Sequence, residues 1–235
     1  MDDDTETVGA REQLAALVRA AGSGQDVFGR RPQPPQARQA AVLMLFGVLD
    51  DLPSDHDAQA LAVGRDLDVL LLARATTLRS HPGQVAFPGG RVDPGDDGAV
   101  GAALREAREE TGLDPGGVDV LGSLDEIPLD FSKHLVTPVV GWWRHPSPVG
   151  VVDEAESSAV FRAPVADLLD PARRGVTVIR RGDHEWRGPA FVVDGGHLVW
   201  GFTGMVLDRL FDRLGWTEQW DPTREIPLDV VDTGQ

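Results

Sequence analysis

Three glutamates have the spacing of side chains that share one side of a helix: Glu106, Glu109 and Glu110. Residues three and four positions apart in an α-helix lie on the same face, so these carboxylates fall together on a helical wheel. Like charges at this spacing oppose helix formation by roughly 0.2–0.5 kcal/mol per pair, so the cluster calls for a counter-charge. Carboxylate oxygens suit a hard divalent cation such as Mg²⁺, which proteins commonly share with substrate phosphates. The spacing therefore predicts half of a metal–phosphate site, with a solvated surface helix as the alternative.

The segment that carries these glutamates is predicted to be a helix from about residue 99 to residue 111. Asp96 or Asp97 can cap its start, and Gly112 can supply the left-handed residue after its end. Leu113 suits the apolar contact that often follows such a stop. One arc of the wheel is predicted to pack on the body of the protein, and it holds Val100, Ala103, Leu104, Ala107 and Thr111. The glutamates lie beside this arc, at the border between core and solvent.

A glycine-rich turn precedes the helix, at Pro88, Gly89 and Gly90. The missing side chains would let backbone N–H groups approach a phosphate or a metal-bound oxygen. A glycine pair alone is more often a simple turn, so its interpretation depends on the glutamates that follow it.

Residues 105–113 read Arg-Glu-Ala-Arg-Glu-Glu-Thr-Gly-Leu, which resembles the C-terminal half of the Nudix box at every prescribed position. That box is the signature of hydrolases that cleave a diphosphate linked to another moiety. The N-terminal half departs from the common pattern. The residue eight positions before Arg105 is Asp97, and six residues rather than five separate it from Gly90.

The longer spacing is usual in the coenzyme A diphosphatase branch of the family, which has an Asp at the place of Asp96. Residues 70–74 read Leu-Leu-Leu-Ala-Arg, and residues 78–90 end in Phe-Pro-Gly-Gly; both stretches resemble that branch. So do a Val-Thr-Pro segment at 136–138 and a Trp-Gly-Phe-Thr segment at 200–203. The resemblance extends over roughly residues 40–215.

The resemblance implies an α/β protein, with a Nudix-type α/β/α sandwich around a mixed sheet. It implies divalent-metal-dependent hydrolysis, with Mg²⁺ or Mn²⁺ as cofactor and a small-molecule diphosphate as substrate. Coenzyme A or its thioesters are the expected substrates, giving 3′,5′-ADP and 4′-phosphopantetheine or its acyl derivative. The alternatives are a Nudix hydrolase of ADP-ribose or a nucleotide sugar, and a Nudix-fold domain that senses nucleotides without cleaving them. All three glutamates are present, which favours an enzyme.

The same resemblance implies roles for individual residues. Those expected to be catalytic are Arg105, Glu106, Glu109 and Glu110, with Arg105 orienting the carboxylates. Those expected to hold the metal are Glu106, Glu109, Glu110 and Glu156. Those expected to bind substrate are Arg74, Arg79, His81, Gly89 and Gly90. Arg79 is the candidate partner of the 3′-phosphate of coenzyme A, whereas Lys133 and His134 face either the ligand or solvent.

Composition and charge restrict the partners. The 235 residues are 41% hydrophobic and 26% charged, as in ordinary globular proteins, and can bury a sizeable core. The net charge of −16 argues against nucleic acid and anionic membrane, which both require a basic face. A homodimer is kept as an alternative to a monomer. The chain has no cysteine, which excludes disulfides and thiolate sites, and it starts with Met-Asp-Asp-Asp, so we expect a cytoplasmic protein.

The chain is predicted to have three parts. Residues 1–39 form an arm outside the core with a short amphipathic helix, residues 40–215 form the Nudix hydrolase domain, and residues 216–235 form a C-terminal tail. Buried strands are predicted at 40–49 and 68–73. A further strand at 135–143 carries Pro138, which indicates an edge strand or a bulge because proline cannot donate a ladder hydrogen bond.

Overall fold

A computed structural model describes residues 8–29, 32, 37–48, 53–78, 82–129 and 133–228. Eight strands form one sheet: β1 Arg38–Val48, β2 Leu67–Arg74, β3 Val85–Ala86, β4 Gly89–Arg91, β5 Val118–Ser123, β6 Ile127–Leu129, β7 His134–Trp143 and β8 Ser157–Pro164. Three more form a second sheet: β9 Arg174–Arg181, β10 His184–Val193 and β11 His197–Val199. The helices are α1 Ala10–Gly22, α2 Gly98–Thr111, α3 Val165–Leu169 and α4 Gly201–Leu214.

Strand β1 is the centre of the large sheet. It runs parallel to β7, from the pair Arg38 and His134 to the pair Phe46 and Trp142. On its other side it is antiparallel to β2 and to β4. The sheet is therefore mixed, and β1 is apolar along most of its length because both of its faces are covered.

Helices cover both faces of this sheet. Alternate side chains of a strand point to opposite faces. Ala41, Leu43 and Leu45 pack with the alanines of α2 on one face. Met44 and Phe46 join the larger core formed with α1, α3, α4 and the second sheet on the other face. This confirms the predicted α/β/α sandwich around a mixed sheet.

The N-terminal helix belongs to the core, which corrects the prediction of an arm. Its apolar stripe, which includes Leu14, Leu17 and Val18, is buried in the larger cluster, and the helix contacts β5 and α4. The Nε1 atom of Trp216 donates a hydrogen bond to Oε1 of Gln13 at 2.6 Å. The amphipathic pattern was present in the sequence, but nothing local identified the surface it covers. The boundaries at residues 39 and 215 remain predictions.

The segment after α4 also packs on the body of the protein. Trp216 is buried and stacks on Phe211. The carboxylate of Glu218, only 3% exposed, accepts a hydrogen bond from the backbone N–H of Gln59 at 3.0 Å and lies 2.9 Å from Nε2 of His56. At Trp216 and Glu218, therefore, the predicted tail is packed against the body of the protein.

Strand β7 is an interior strand, so the edge alternative predicted from Pro138 was wrong; the other alternative, a bulge, has a counterpart in the register shift between Val120 and Gly122 of the neighbouring β5. It lies between β1 on one side and β5 and β6 on the other. Pro138 falls in the gap between the two shorter strands, since β5 stops opposite Val139 and β6 begins opposite Val136. The neighbouring ladder is interrupted where proline has no N–H to donate.

No helix within the described ranges is long and apolar enough to span a bilayer.

Candidate active site

Helix α2 brings the glutamates to the sheet. It starts one residue earlier than predicted, at Gly98, and it ends before Gly112, which has the expected left-handed φ of 73°. Asp97 is the residue before the helix, but its side chain makes no capping hydrogen bond. Alanines at the contact, including Ala102, which the predicted arc omitted, are fully buried against β1. Small side chains there let the helix backbone lie close to the strand.

Gly89 binds the third glutamate directly. Its backbone N–H donates a hydrogen bond to Oε2 of Glu110 at 2.9 Å. A Cβ atom at this position would collide with the carbonyl oxygen of Ala41 and lie 2.7 Å from Cα of Val42. Glycine is therefore required here for strand β4 to pair with β1.

Gly90 faces the first glutamate. A Cβ atom at this position would lie 2.5 Å from Cδ of Glu106 and 2.8 Å from its Oε2 atom. Gly90 is opposite Ala41 in the ladder, on the sheet face that α2 covers. The glycine pair thus lets β4 approach two carboxylates of α2.

Arg105 connects the loop after β4 to the helix. Its guanidinium forms a two-pronged pair with Asp96, Nε to Oδ1 at 2.9 Å and Nη2 to Oδ2 at 3.0 Å. The Nη1 atom lies 3.0 Å from both Glu106 Oε1 and Glu109 Oε2. The Nη2 atom also donates to the carbonyl oxygen of Arg91 at 3.0 Å. This fits the predicted role of Arg105 in orienting the carboxylates.

The charges around Arg105 shift each other's ionisation. The hydrogen bonds from Arg105 lower the pKa of Asp96, and those accepted by Asp96 raise the pKa of Arg105. Burial raises the pKa of Glu106, although Arg105 opposes this effect. The pairing keeps Arg105 positively charged and holds Asp96 as the carboxylate.

Glu110 lacks a comparable ion-pair partner in the described part of the chain. Burial raises its pKa to about 7; the N–H of Gly89 opposes this, Glu106 and Glu156 add to it, and the charge of Arg74 opposes it. With a pKa of about 7, the carboxylate of Glu110 is only partly ionised at neutral pH, and a bound cation would favour its charged form.

The donor chemistry of Glu106, Glu110 and Glu156 fits a hard divalent cation, because all three supply carboxylate oxygens and, in addition to burial, the charges of Glu106 and Glu156 raise the pKa of Glu110. Glu109 is placed differently, since its carboxylate is 52% exposed and pairs with Arg105. Among the described residues, no three histidine, aspartate or glutamate side chains already form a coordination sphere. The assignment of metal ligands stays a prediction.

The predicted substrate residues are only partly within the described ranges. Arg74 ends β2, and its Nε atom is buried without a hydrogen-bond partner among the described residues. The next residue, Ala75, donates its N–H to the carbonyl oxygen of Glu156 at 2.9 Å, which ties the two segments together. Arg79 and His81 lie outside the described residues.

The predicted site residues did not include the partner of Arg105. Asp96 and the carbonyl group of Arg91 hold the guanidinium, together with a weaker ion pair to Asp93 at 3.8 Å. The signal in the sequence that could have identified this partner was the longer spacing between Gly90 and Arg105. That spacing was compatible with either Asp96 or Asp97 as the partner, and the structure places Asp96 against Arg105.

We expect Asp96→Asn to lower kcat/KM by about tenfold, because an amide cannot replace the charge-assisted pair that orients Arg105. The matched control is Asp97→Asn, one residue along and with no side-chain hydrogen bond to α2. Steady-state kinetics and thermal unfolding of both variants check this. Equal loss in both variants would show that the pairing has no special role.

The model of the NUDIX domain family matches residues 55–180. The "Uncharacterized Nudix hydrolase NudL" of Cronobacter sakazakii is 41% identical over 149 residues, 63% of this chain and 75% of that protein. NudL of Escherichia coli K12 is 40% identical over the same shares. A solved MutT/nudix family protein from Enterococcus faecalis is 16% identical, with a TM-score of 0.45 and coverage of 89% of this chain and 71% of that chain.

Proposed function

This chain belongs to the Nudix family of hydrolases, which act on nucleoside diphosphate derivatives, and from that premise we propose that its substrate is coenzyme A or a coenzyme A thioester. Hydrolysis of the diphosphate gives 3′,5′-ADP and 4′-phosphopantetheine or its acyl derivative. The proposal of a diphosphate site is carried by one observation, the buried Glu110 that Gly89 contacts and that no described residue pairs with as an ion. The choice of coenzyme A rests on the resemblance of residues 70–90 to that branch.

The residues of α2 and of the segments beside it have separate tasks in this proposal. Glu106, Glu110 and Glu156 would hold Mg²⁺ or Mn²⁺, the divalent ions that Nudix hydrolases use. When bound, the cation neutralises phosphate charge and increases the acidity of water. Arg105 and Asp96 fix the orientation of Glu106. Arg74 lies near enough to Glu110 to affect its ionisation, and its buried Nε, which has no hydrogen-bond partner among the described residues, is a candidate donor to a phosphate oxygen.

The backbone of β4 shapes the space beside these carboxylates. Gly90 presents no side chain to Glu106, and the N–H of Gly89 contacts Glu110, so a phosphate beside these carboxylates can approach the strand closely. The chain as a whole is strongly acidic, and an anionic substrate is repelled at long range. A local positive charge from the metal and from Arg74 is therefore required at the site itself.

The experiment that tests the substrate is incubation of the protein with coenzyme A, dephospho-coenzyme A, ADP-ribose and a nucleotide sugar, each with Mg²⁺ or Mn²⁺. Products are identified by mass, and kcat/KM is compared across the panel. We expect coenzyme A to have the highest value and to yield 3′,5′-ADP. Faster turnover of ADP-ribose would reject coenzyme A as the preferred substrate and leave the diphosphatase assignment standing.

A further inference from the structure

Four basic residues lie together where three neighbouring strands end beside the glycine pair. Arg38 is paired in register with His134, at the start of β1 and β7. Arg91, at the end of β4, is opposite Ala40 of β1. Lys133 precedes His134, and its carbonyl oxygen accepts the N–H of Arg38 at 2.9 Å. We call these four residues the basic strand end.

Three members of the basic strand end occupy one face of the sheet. Residues that are partners in a ladder lie on the same face, and alternate residues along a strand return to it. Arg91 therefore shares a face with Ala40, and by alternation with Arg38 and its partner His134. Gly90 lies on the opposite face, against Glu106. The basic strand end and the carboxylates are thus on two sides of the same short strand.

Within the part of the chain that the structure describes, no carboxylate pairs with the three cations of this cluster. Arg38, Arg91 and Lys133 are exposed. In the described ranges, none of the three side chains forms an ion pair or hydrogen bond, whereas Arg105, Arg173, Arg180 and Arg187 each pair with carboxylates. In a chain with a net charge of −16, three cations without an ion-pair partner among the described residues concentrate positive charge at the ends of adjoining strands. Such a concentration attracts an anion over about a Debye length, ~10 Å at moderate salt.

The cluster is adjacent to the proposed diphosphate site. The carbonyl oxygen of Arg91 accepts a hydrogen bond from Arg105, and the preceding residue, Gly90, faces Glu106. The Cα atoms of consecutive residues are ~3.8 Å apart, so β4 links the two regions over a single residue. A substrate with its diphosphate at Glu106 and Glu110 can reach the basic strand end by passing over this strand.

We propose that Arg38, Arg91, Lys133 and His134 form a second anion subsite, which binds a phosphate monoester of the substrate remote from the scissile diphosphate. This inference rests on the proposed function of the carboxylate site. It assigns the preference for a substrate with a second phosphate to these four residues, whereas the sequence alone suggested Arg79 as the partner of that phosphate. The arginines donate paired N–H groups to the phosphate, Lys133 adds a point charge, and His134 adds a single donor.

The test uses two substrates that differ only in the remote phosphate, coenzyme A and dephospho-coenzyme A. The ratio of their kcat/KM values is measured for the wild-type protein, Arg38→Ala, Arg91→Ala, the double variant and Arg79→Ala. We expect the ratio to fall about tenfold in each single variant of the subsite and further in the double variant. Arg181→Ala, an exposed arginine on the second sheet, is the matched control and should keep the wild-type ratio. A ratio unchanged in the double variant overturns the subsite.

A binding measurement tests the second anion subsite without relying on turnover. Calorimetry with 3′,5′-ADP and with AMP, both without metal, compares wild-type protein with the double variant Arg38→Ala/Arg91→Ala. We expect the double variant to bind 3′,5′-ADP at least about tenfold more weakly and AMP with a smaller loss. Equal loss for both ligands, or no loss for 3′,5′-ADP, contradicts a subsite for the second phosphate. If wild-type protein hydrolyses neither substrate, the proposed function fails, and this comparison still tests the subsite.

Discussion

Replacing Glu110 by Gln is expected to lower kcat/KM by about a hundredfold or more while the fold stays intact. Gln keeps the size of the side chain and its ability to accept the N–H of Gly89, but it removes the negative charge. Losses of this order are typical when one electrostatic group of an active site is removed. Steady-state kinetics with saturating Mg²⁺ or Mn²⁺ and a circular dichroism spectrum check the prediction. Activity equal to wild type, or full activity of wild type in EDTA, would refute it.

The same substitution should stabilise the metal-free protein at alkaline pH. The folded protein raises the pKa of Glu110 from 4.5 to about 7, so the native state binds the proton more tightly than the unfolded chain does. Wild-type stability should therefore fall as pH rises from about 4.5 to about 7, by at most ~3.5 kcal/mol at ~1.4 kcal/mol per pKa unit. Gln does not titrate and escapes this loss.

Urea unfolding in EDTA at pH 5 and pH 8 measures that effect. Relative to wild type, the free energy of unfolding of Glu110→Gln should be higher at pH 8 than at pH 5. Glu109→Gln is the stability control, because Glu109 is half exposed and an exposed ion pair contributes little. A difference that is the same at both pH values would mean that the carboxylate of Glu110 is well solvated.

Substitution of the two adjacent glycines by alanine should affect different properties: Gly90→Ala should reduce activity, and Gly89→Ala should reduce stability. In Gly90→Ala the new methyl group meets only the end of the Glu106 side chain, which can move, so we expect a loss of about tenfold or more in kcat/KM with little change in melting temperature. In Gly89→Ala it meets the backbone of Ala41 and Val42, which cannot move without breaking the ladder. We therefore expect Gly89→Ala to lower the melting temperature by several degrees, as a destabilisation of ~1–3 kcal/mol does.

Each glycine variant is the control for the other, since the substitutions are identical and the positions consecutive. Gly90→Val, with a larger branched side chain, should show a greater loss of activity than Gly90→Ala. Parallel loss of activity and stability in Gly90→Ala would indicate that the glycine is needed only for the turn.

Local rules predicted helix α2 well because its signals are local. The glycine stop at Gly112 and the apolar arc depend only on nearby residues, and the observed helix differs from the prediction by one residue at its start. Membership of the Nudix family was also predicted from the box residues, and the family match confirms it. The substrate and the metal ligands remain predictions.

Features set by distant contacts were predicted poorly. The stripe of α1 was visible, but its partners lie on β5 and α4, about a hundred or more residues later in the chain. Pro138 suggested an edge because the sequence does not reveal that two short strands share one side of β7. The choice of Asp96 over Asp97 depends on how the loop after β4 turns, and the placement of Glu109 depends on Arg105. Spacing alone could not resolve either of them.

The parallel pairing of β1 with β7 has a consequence for synthesis on the ribosome. At about 5–20 residues per second, the residues that pair with β1 emerge roughly 5–20 seconds after it does. During that interval β2 can cover one edge of β1, while the other edge, in one of the most apolar strands of the chain, stays available to other nascent chains. A molecular chaperone that shields β1 until β7 arrives should therefore increase the yield of active protein and leave the stability of the finished fold unchanged.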